Sequence, residues 1–298
     1  DDLNILNRPS IIIFKLTQSE GQMSARSVSA VINRDILKWA RISSGYDIEY
    51  AAEKSGLNAG NLIRWESGPD LPTISELRHL AKVFHFPIAV FYLPEPPSLQ
   101  TIQPKDRRFL PDGEYEEPCP ELIFEFRQAS ERREIALELL SNLETKPKRF
   151  KLMTTVRQSA EELAYEIRKM LNIAVEEQTS WRDPRIAFNS WRQKLETKDI
   201  LVFQVTAIPI NQMRGFSLFY DLLPIIAVNR KDAYAARSFT LMHELVHLVL
   251  RKASLCDVIE RRSDLSQEDQ LIEVFCNNVA ACTLVPQDAL LSDDNLKD

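Results

Sequence analysis

The segment from Ser238 to Leu250 most constrains how this chain folds. It is strongly apolar, yet the sequence HELVH places His243, Glu244 and His247 within it. The apolar positions recur around the whole helix, which predicts a helix buried in a core. Buried polar side chains require strong partners. The fold must therefore bury this helix and supply partners for these three groups.

The spacing of the two histidines predicts a metal site. Residues i and i+4 lie on one face of a helix, so both imidazoles can bind one ion, and Glu244 can accept a proton from water beside them. The chain has only 4 histidines, so chance placement is a poor explanation. The alternative is a pair of core histidines with ordinary hydrogen-bond partners. A site of this kind accepts several divalent metals.

A third ligand has to be a carboxylate or a thiolate, because the other two histidines, His79 and His85, belong to the N-terminal region. Glu273 is the best candidate, since it interrupts a buried apolar helix where an unpaired carboxylate is costly. Asn277, one turn later, could orient a ligand. The rival candidates in this half of the chain are Cys256, Asp257, Glu260, Asp264 and Cys276.

The amino-acid composition excludes several classes of protein. The 298 residues include only 7 glycines, where about 21 are usual, which disfavours a glycine-loop nucleotide binder and favours helices. The net charge of −6 argues against a general nucleic-acid coat and leaves only local DNA contact. The 4 cysteines lack metal or disulfide spacing, and no apolar run reaches the ~18 residues of a membrane helix. We expect a cytoplasmic protein without membrane contact.

The pattern predicts a mainly α protein with a small β-sheet, of the α+β class. We divide it into an N-terminal segment of uncertain origin (1–30), a module of short helices (31–93), a proline-rich linker (94–120) and a larger unit (121–298). In the larger unit, helices are expected at 121–143, 159–172, 185–196, 238–250 and 268–285, and strands at 200–208 and 223–229.

The second half of the chain resembles a known family. RSFTLMHELVHLVL followed by EVFCNNVAACTLVP is similar to the two helices of the ImmA/IrrE metallopeptidases, over about residues 181–286. The resemblance implies a zincin-like metallopeptidase domain in which His243, His247 and Glu273 bind zinc and Glu244 is the general base. Cys276 and Val279 replace the usual Ala and Phe, which are conservative packing changes.

The N-terminal module is similar to the XRE, or Cro/CI-type, helix-turn-helix over DIEYAAEKSGLNAGNLIRWESGPDLPTISELRHLAKVF. The resemblance implies that residues 58–66 enter the DNA major groove, with Ala59, Gly60, Asn61 and Arg64 nearest the bases. Asn61 could read adenine, and Arg64 guanine or phosphate. Residues 31–97 carry 7 basic and 8 acidic side chains, which leaves open a module that docks proteins or forms a homodimer.

The two resemblances imply a zinc-dependent endopeptidase and transcriptional regulator. Its protein substrate would be a Cro/CI-like repressor or antitoxin, whose cleavage derepresses stress or mobile-element genes, and operator DNA is a possible partner. The alternative is a DNA-binding regulator, or antitoxin-like protein, whose peptidase-like half is a sensor without proteolytic activity. A third is an interaction protein whose N-terminal helices recognise the repressor. The group that stabilises the oxyanion stays open among Tyr220, Tyr234 and Arg237.

Overall fold

The computed structural model describes residues 28–97, 119–251, 254–256 and 267–291, the strand at 254–256 by its backbone alone. Most of the proline-rich segment lies outside this part, as do the rival ligands Asp257, Glu260 and Asp264 and the side chain of Cys256. The described residues confirm the predicted fold class, because helices dominate and surround one small mixed sheet.

The N-terminal module consists of short helices whose caps the sequence specifies. Asn33, Asp47, Asn58 and Thr73 each precede a helix and accept a hydrogen bond from a backbone N–H of its first turn. The module comprises helices α1 (Arg34–Ser43), α2 (Ile48–Ser55), α3 (Ala59–Ser67) and α4 (Ile74–Val83), and a 3-10 helix (Ile88–Tyr92).

The module has a core of its own. Trp65 packs into it and is 4% exposed, so this aromatic is a core residue. Beside it, Arg41 donates two hydrogen bonds to the carboxylate of Glu66, at 2.7 and 2.9 Å. This ion pair joins α1 to the end of α3 and fixes the orientation of the candidate recognition helix.

The larger unit places a sheet among long helices. Its helices are α5 (Pro120–Asn142), α6 (Ala160–Leu171), α7 (Val175–Thr179), α8 (Pro184–Glu196), α9 (Tyr234–Val249), α10 (Gln267–Leu284) and α11 (Gln287–Leu291). Its strands are β1 (Leu201–Val205), β2 (Gly215–Leu218), β3 (Ile225–Asn229) and β4 (Ser254–Cys256). No helix in the described ranges has the length and apolar character needed to span a bilayer.

The sheet positions helix α9. Its strand order is β1-β3-β2-β4, with β1 parallel to β3 and β2 antiparallel to both of its neighbours. Helix α9 packs on β2 and β3 and against α8 and α10, which buries it on all sides. It begins at Tyr234, one turn before the predicted start at Ser238. The predicted strands are observed in shorter form, and neither β2 nor β4 was predicted as a separate strand.

Helix α5 contacts both halves of the molecule. Arg127 donates hydrogen bonds to the backbone carbonyls of Phe84 and His85 at the end of α4, both at 3.0 Å. Two turns later, Arg133 donates two hydrogen bonds to the carbonyl of Leu222, between β2 and β3. Phe126, the residue before Arg127, packs edge-on against Phe216 of β2. Helix α5 therefore connects the N-terminal module to the sheet.

Candidate metal centre

Helix α9 carries the HELVH residues at its most buried positions. His243 is 1% exposed, Glu244 is fully buried and His247 is 3% exposed. The helix is held there by apolar neighbours on every side, including Leu241 and Leu245, which are also fully buried. Burial of three ionisable groups in this core is costly unless they interact with one another or with an ion.

The structure brings together two histidines from α9 and one carboxylate from α10. The Nε2 atoms of His243 and His247 are 3.0 Å apart. The two carboxylate oxygens of Glu273 lie 3.3 Å from His243 Nε2 and 3.2 Å from His247 Nε2. Each residue offers one ligand atom within 4.8 Å of the others. This convergence is the arrangement that the sequence predicted for the metal ligands.

Asn277 lies next to the same cluster. Its Oδ1 is 3.0 Å from Nδ1 of His243. An amide oxygen can only accept, so His243 Nδ1 carries the proton and Nε2 presents its lone pair toward His247 and Glu273. Asn277 therefore fixes the ring orientation and the tautomer that a metal ligand requires.

The cluster has the chemistry and size of a zinc site. In a tetrahedral site with bonds of about 2.0–2.1 Å, two ligand nitrogens lie about 3.3 Å apart, close to the 3.0 Å between the two Nε2 atoms. Two imidazoles and one carboxylate also form the ligand set of catalytic zinc sites that keep a fourth position open. Burial opposes ionisation of Glu273, but the contacts of its carboxylate with the imidazoles of His243 and His247 outweigh that effect and hold its pKa well below the usual range.

Gly215 permits the close approach of β2 to Glu244, and sequence reasoning did not single it out. A Cβ at this position would lie 2.5 Å from Thr240 Cγ2, 2.9 Å from the carbonyl oxygen of Ala227 and 3.3 Å from Glu244 Cγ. Only glycine fits without displacing backbone. The available signal was the scarcity of glycine in the chain, together with its place at the start of GFSLFYDLL.

The three candidates for oxyanion stabilisation have other contacts. Tyr220 lies under the guanidinium of Arg133, at 3.8 Å from the ring centroid, and its hydroxyl is 3.3 Å from that of Ser130. Arg237 stacks on Tyr234 at 3.8 Å and donates to Gln204 at 3.0 Å. The described contacts of all three are thus structural. Cys276, on α10, is buried in the hydrophobic core of the larger unit.

The residues expected to contact DNA lie together at the start of α3. Ala59, Gly60 and Asn61 form its first turn, and Arg64 follows on the next turn. Arg64 donates to Asn61 Oδ1 and pairs with Asp70 at 2.9 Å, with both charged side chains about half exposed. These side chains therefore satisfy one another in the free protein, and contact with a base would require the pair to separate.

Comparison with known proteins agrees with this architecture. Residues 199–297 match the family model described as the IrrE N-terminal-like domain, a peptidase family. Residues 37–91 match the model described as helix-turn-helix. A search of curated proteins finds no match. The two matches confirm the resemblance inferred from the sequence: the chain joins a region similar to helix-turn-helix domains to a region similar to the IrrE N-terminal-like peptidase domain.

Proposed function

We propose that this protein is a zinc-dependent endopeptidase that cleaves a Cro/CI-like repressor or antitoxin and so derepresses the genes that the repressor controls. The observation that carries the proposal is the convergence of His243, His247 and Glu273 next to Glu244 in a buried helix. The match to the IrrE N-terminal-like domain supports it. A purely structural role for three clustered ionisable groups would cost stability without an evident return.

Each residue of the candidate site would have its own role in the proposed peptide hydrolysis. His243, His247 and Glu273 would hold the ion, and Asn277 would keep the ring of His243 in place. Bound zinc polarises a scissile carbonyl and makes water more acidic. Glu244 would accept a proton from the attacking water and pass it to the leaving amine. The apolar residues around α9 would keep bulk solvent away from these groups.

The test is co-expression of the full chain with a Cro/CI-like repressor from the same genome. We expect a repressor fragment with the natural chain and none with Glu244→Gln, which preserves shape but removes the base. Glu138→Gln, an exposed position on α5, is the matched control and should cleave normally. Equal regulatory output from the natural chain and Glu244→Gln would refute the peptidase and favour a non-proteolytic sensor.

We also propose that the helix-turn-helix domain binds operator DNA through Asn61 and Arg64. The 7 basic and 8 acidic residues of 31–97 provide little general attraction to phosphates, so sequence-specific contacts have to carry the affinity. Arg64→Ala should weaken operator binding by about 1–3 kcal/mol. Asp70→Asn should strengthen it, because it releases Arg64 from its ion pair.

Fluorescence anisotropy with operator DNA at several salt concentrations measures both effects. Arg78→Ala, an exposed arginine on α4, serves as the control and should change little. Failure of the natural chain to bind DNA at low salt would instead favour a domain that docks the repressor. Homodimerisation through this domain stays a prediction, which sedimentation analysis can examine.

A further inference from the structure

A polar cavity lies at the start of helix α9, away from the metal centre. Its volume is about 620 Å³, which falls within the ~300–1,000 Å³ of small-molecule sites. It is bounded by α8, by β1, by the residue after β3 and by the first residue of α9. The side chains that give it chemical character are Arg185, Asn189, Arg192, Gln204, Arg230 and Tyr234.

The charge of the cavity is positive although the chain as a whole is negative. Three arginines line it, and Glu196 is its one lining carboxylate. Glu196 lies 3.5 Å from Arg192. Within the described ranges, neither Arg185 nor Arg230 pairs with a carboxylate. Two guanidinium groups are therefore available to an anionic ligand.

The helices and strands that form the cavity bring its arginine side chains close together. Arg185, Asn189 and Arg192 recur at intervals of four and three residues, so they share one face of α8. Arg230 follows β3, where the parallel strands β1 and β3 both end. The carboxyl end of parallel strands is a common position for ligands in mixed α/β structures.

A buried arginine, Arg237, packs against the wall of this cavity. Arg237 is 5% exposed and contacts two residues of the cavity wall, donating to Gln204 and stacking on Tyr234. Its Nε atom is buried without a hydrogen-bond partner in the described part of the chain. Its charge adds to the positive potential of the cavity wall and of the start of α9.

We propose that this cavity binds a small molecule through a phosphate group. One guanidinium group can donate two parallel hydrogen bonds to two oxygens of a phosphate. Several arginines around one cavity therefore favour a doubly charged phosphate over a singly charged carboxylate. The site is separate from the metal centre, because none of the metal-binding candidates lines it. Arg237 precedes His243 by six residues, or about 9 Å along α9.

Isothermal titration of the full chain at constant ionic strength tests this proposal. The probes are inorganic phosphate, adenosine monophosphate and adenosine. We expect saturable binding of the two phosphates, with one site per chain, and none of adenosine. Arg185→Gln and Arg230→Gln should each weaken phosphate binding about tenfold, the loss of one charge-assisted contact. Arg182→Gln, an exposed arginine just before α8, should bind normally.

Several outcomes would overturn the proposal. These are equal binding of adenosine and its monophosphate, absence of binding at millimolar phosphate, equal weakening by Arg182→Gln, or tighter binding of a short polyglutamate peptide. The last result would identify a docking site for acidic protein segments. Circular dichroism melting of each variant shows whether a loss of binding comes from unfolding. Proteolysis is not measured, so the result is independent of the proposed peptidase activity.

Discussion

The ring of His243 is held at one nitrogen by Asn277, and its other nitrogen faces His247 and Glu273. Asn277→Ala removes this support without removing a ligand. Because partners that orient a metal-binding histidine typically contribute 10- to 100-fold in affinity, we expect zinc affinity to fall by about that factor. Competition with a chromophoric chelator measures it.

The next residue provides a matched control for this prediction. Asn278 lies on the same helix but is exposed, so Asn278→Ala should leave zinc affinity unchanged. Equal affinity in both variants would show that the contact between Asn277 and His243 contributes nothing to metal binding.

Gly215 gives a second prediction at this scale. Gly215→Ala places a methyl group 2.5 Å from Thr240 Cγ2 and 2.9 Å from the Ala227 carbonyl oxygen. Overpacking of this kind costs about 1–3 kcal/mol, and we expect that loss in urea unfolding. Because the methyl group would also lie 3.3 Å from Glu244 Cγ, the proposed cleavage should be reduced as well. Adding Thr240→Ser removes the closest contact and should restore part of the stability. If Gly215→Ala is as stable as the natural chain in urea, β2 can move away from α9 without a cost in free energy.

Glu273 could be identified from the sequence and Gly215 could not, and the difference has a physical cause. Glu273 could be identified because a carboxylate within an apolar helix is costly without a partner, and that cost is visible in one segment. The requirement at Gly215 arises from the approach of β2 to residues distant in sequence, Ala227 on β3 and Thr240 on α9. A single segment contains no trace of that contact.

Among the elements, helix α5 contacts both the N-terminal module and the sheet. Arg127 donates to two carbonyls at the end of α4, and its guanidinium lies 4.1 Å from the ring centroid of Phe86. Arg127→Ala should lower the free energy of unfolding by about 2–4 kcal/mol, since it removes charged hydrogen bonds and a cation–π contact. Differential scanning calorimetry measures the loss and shows whether the two domains then unfold separately.

Arg132, five positions after Arg127, is the control for that variant. It is exposed, its hydrogen bond to Gln128 stays within the same helix, and its guanidinium lies 5.4 Å from the ring centroid of Phe203 on β1. Because an exposed cation–π contact contributes little, Arg132→Ala should change stability by less than about 1 kcal/mol. A similar loss in both variants would contradict a specific role for the contact between α5 and α4.

Long helices were predictable from the sequence, as were strands β1 and β3, but strands β2 and β4 were not. Helix α10 is observed at Gln267–Leu284, close to the predicted 268–285, because many positions repeat one period. Strand β2 has four residues, all of them buried, so it lacks the alternation that identifies a strand. Strand β4 has three residues and is a strand only because it pairs with β2.

For the molecule as a whole, the proposed zinc ion would join α9 to α10. Removal of zinc by a chelator should therefore lower the midpoint of thermal unfolding. The expected loss is about 4 kcal/mol when free zinc is about a thousand times its dissociation constant. Calorimetry of the zinc-loaded and chelated protein measures this difference.

Two variants sharpen this comparison. Glu244→Gln keeps all three proposed ligands and should retain the stabilisation by zinc, whereas Glu273→Gln loses a ligand and should not. If zinc stabilises neither the natural chain nor Glu244→Gln, the cluster is not a zinc site.

The two arginines of α5 also have a mechanical consequence. Arg127 holds the end of α4 and Arg133 holds Leu222, and about 9 Å of continuous helix separates them. An α-helix resists bending over so short a length, so this part of α5 acts as a rigid rod with one anchor in each domain. A displacement of the helix-turn-helix domain must then either move the connection between β2 and β3 or break the hydrogen bonds of one arginine.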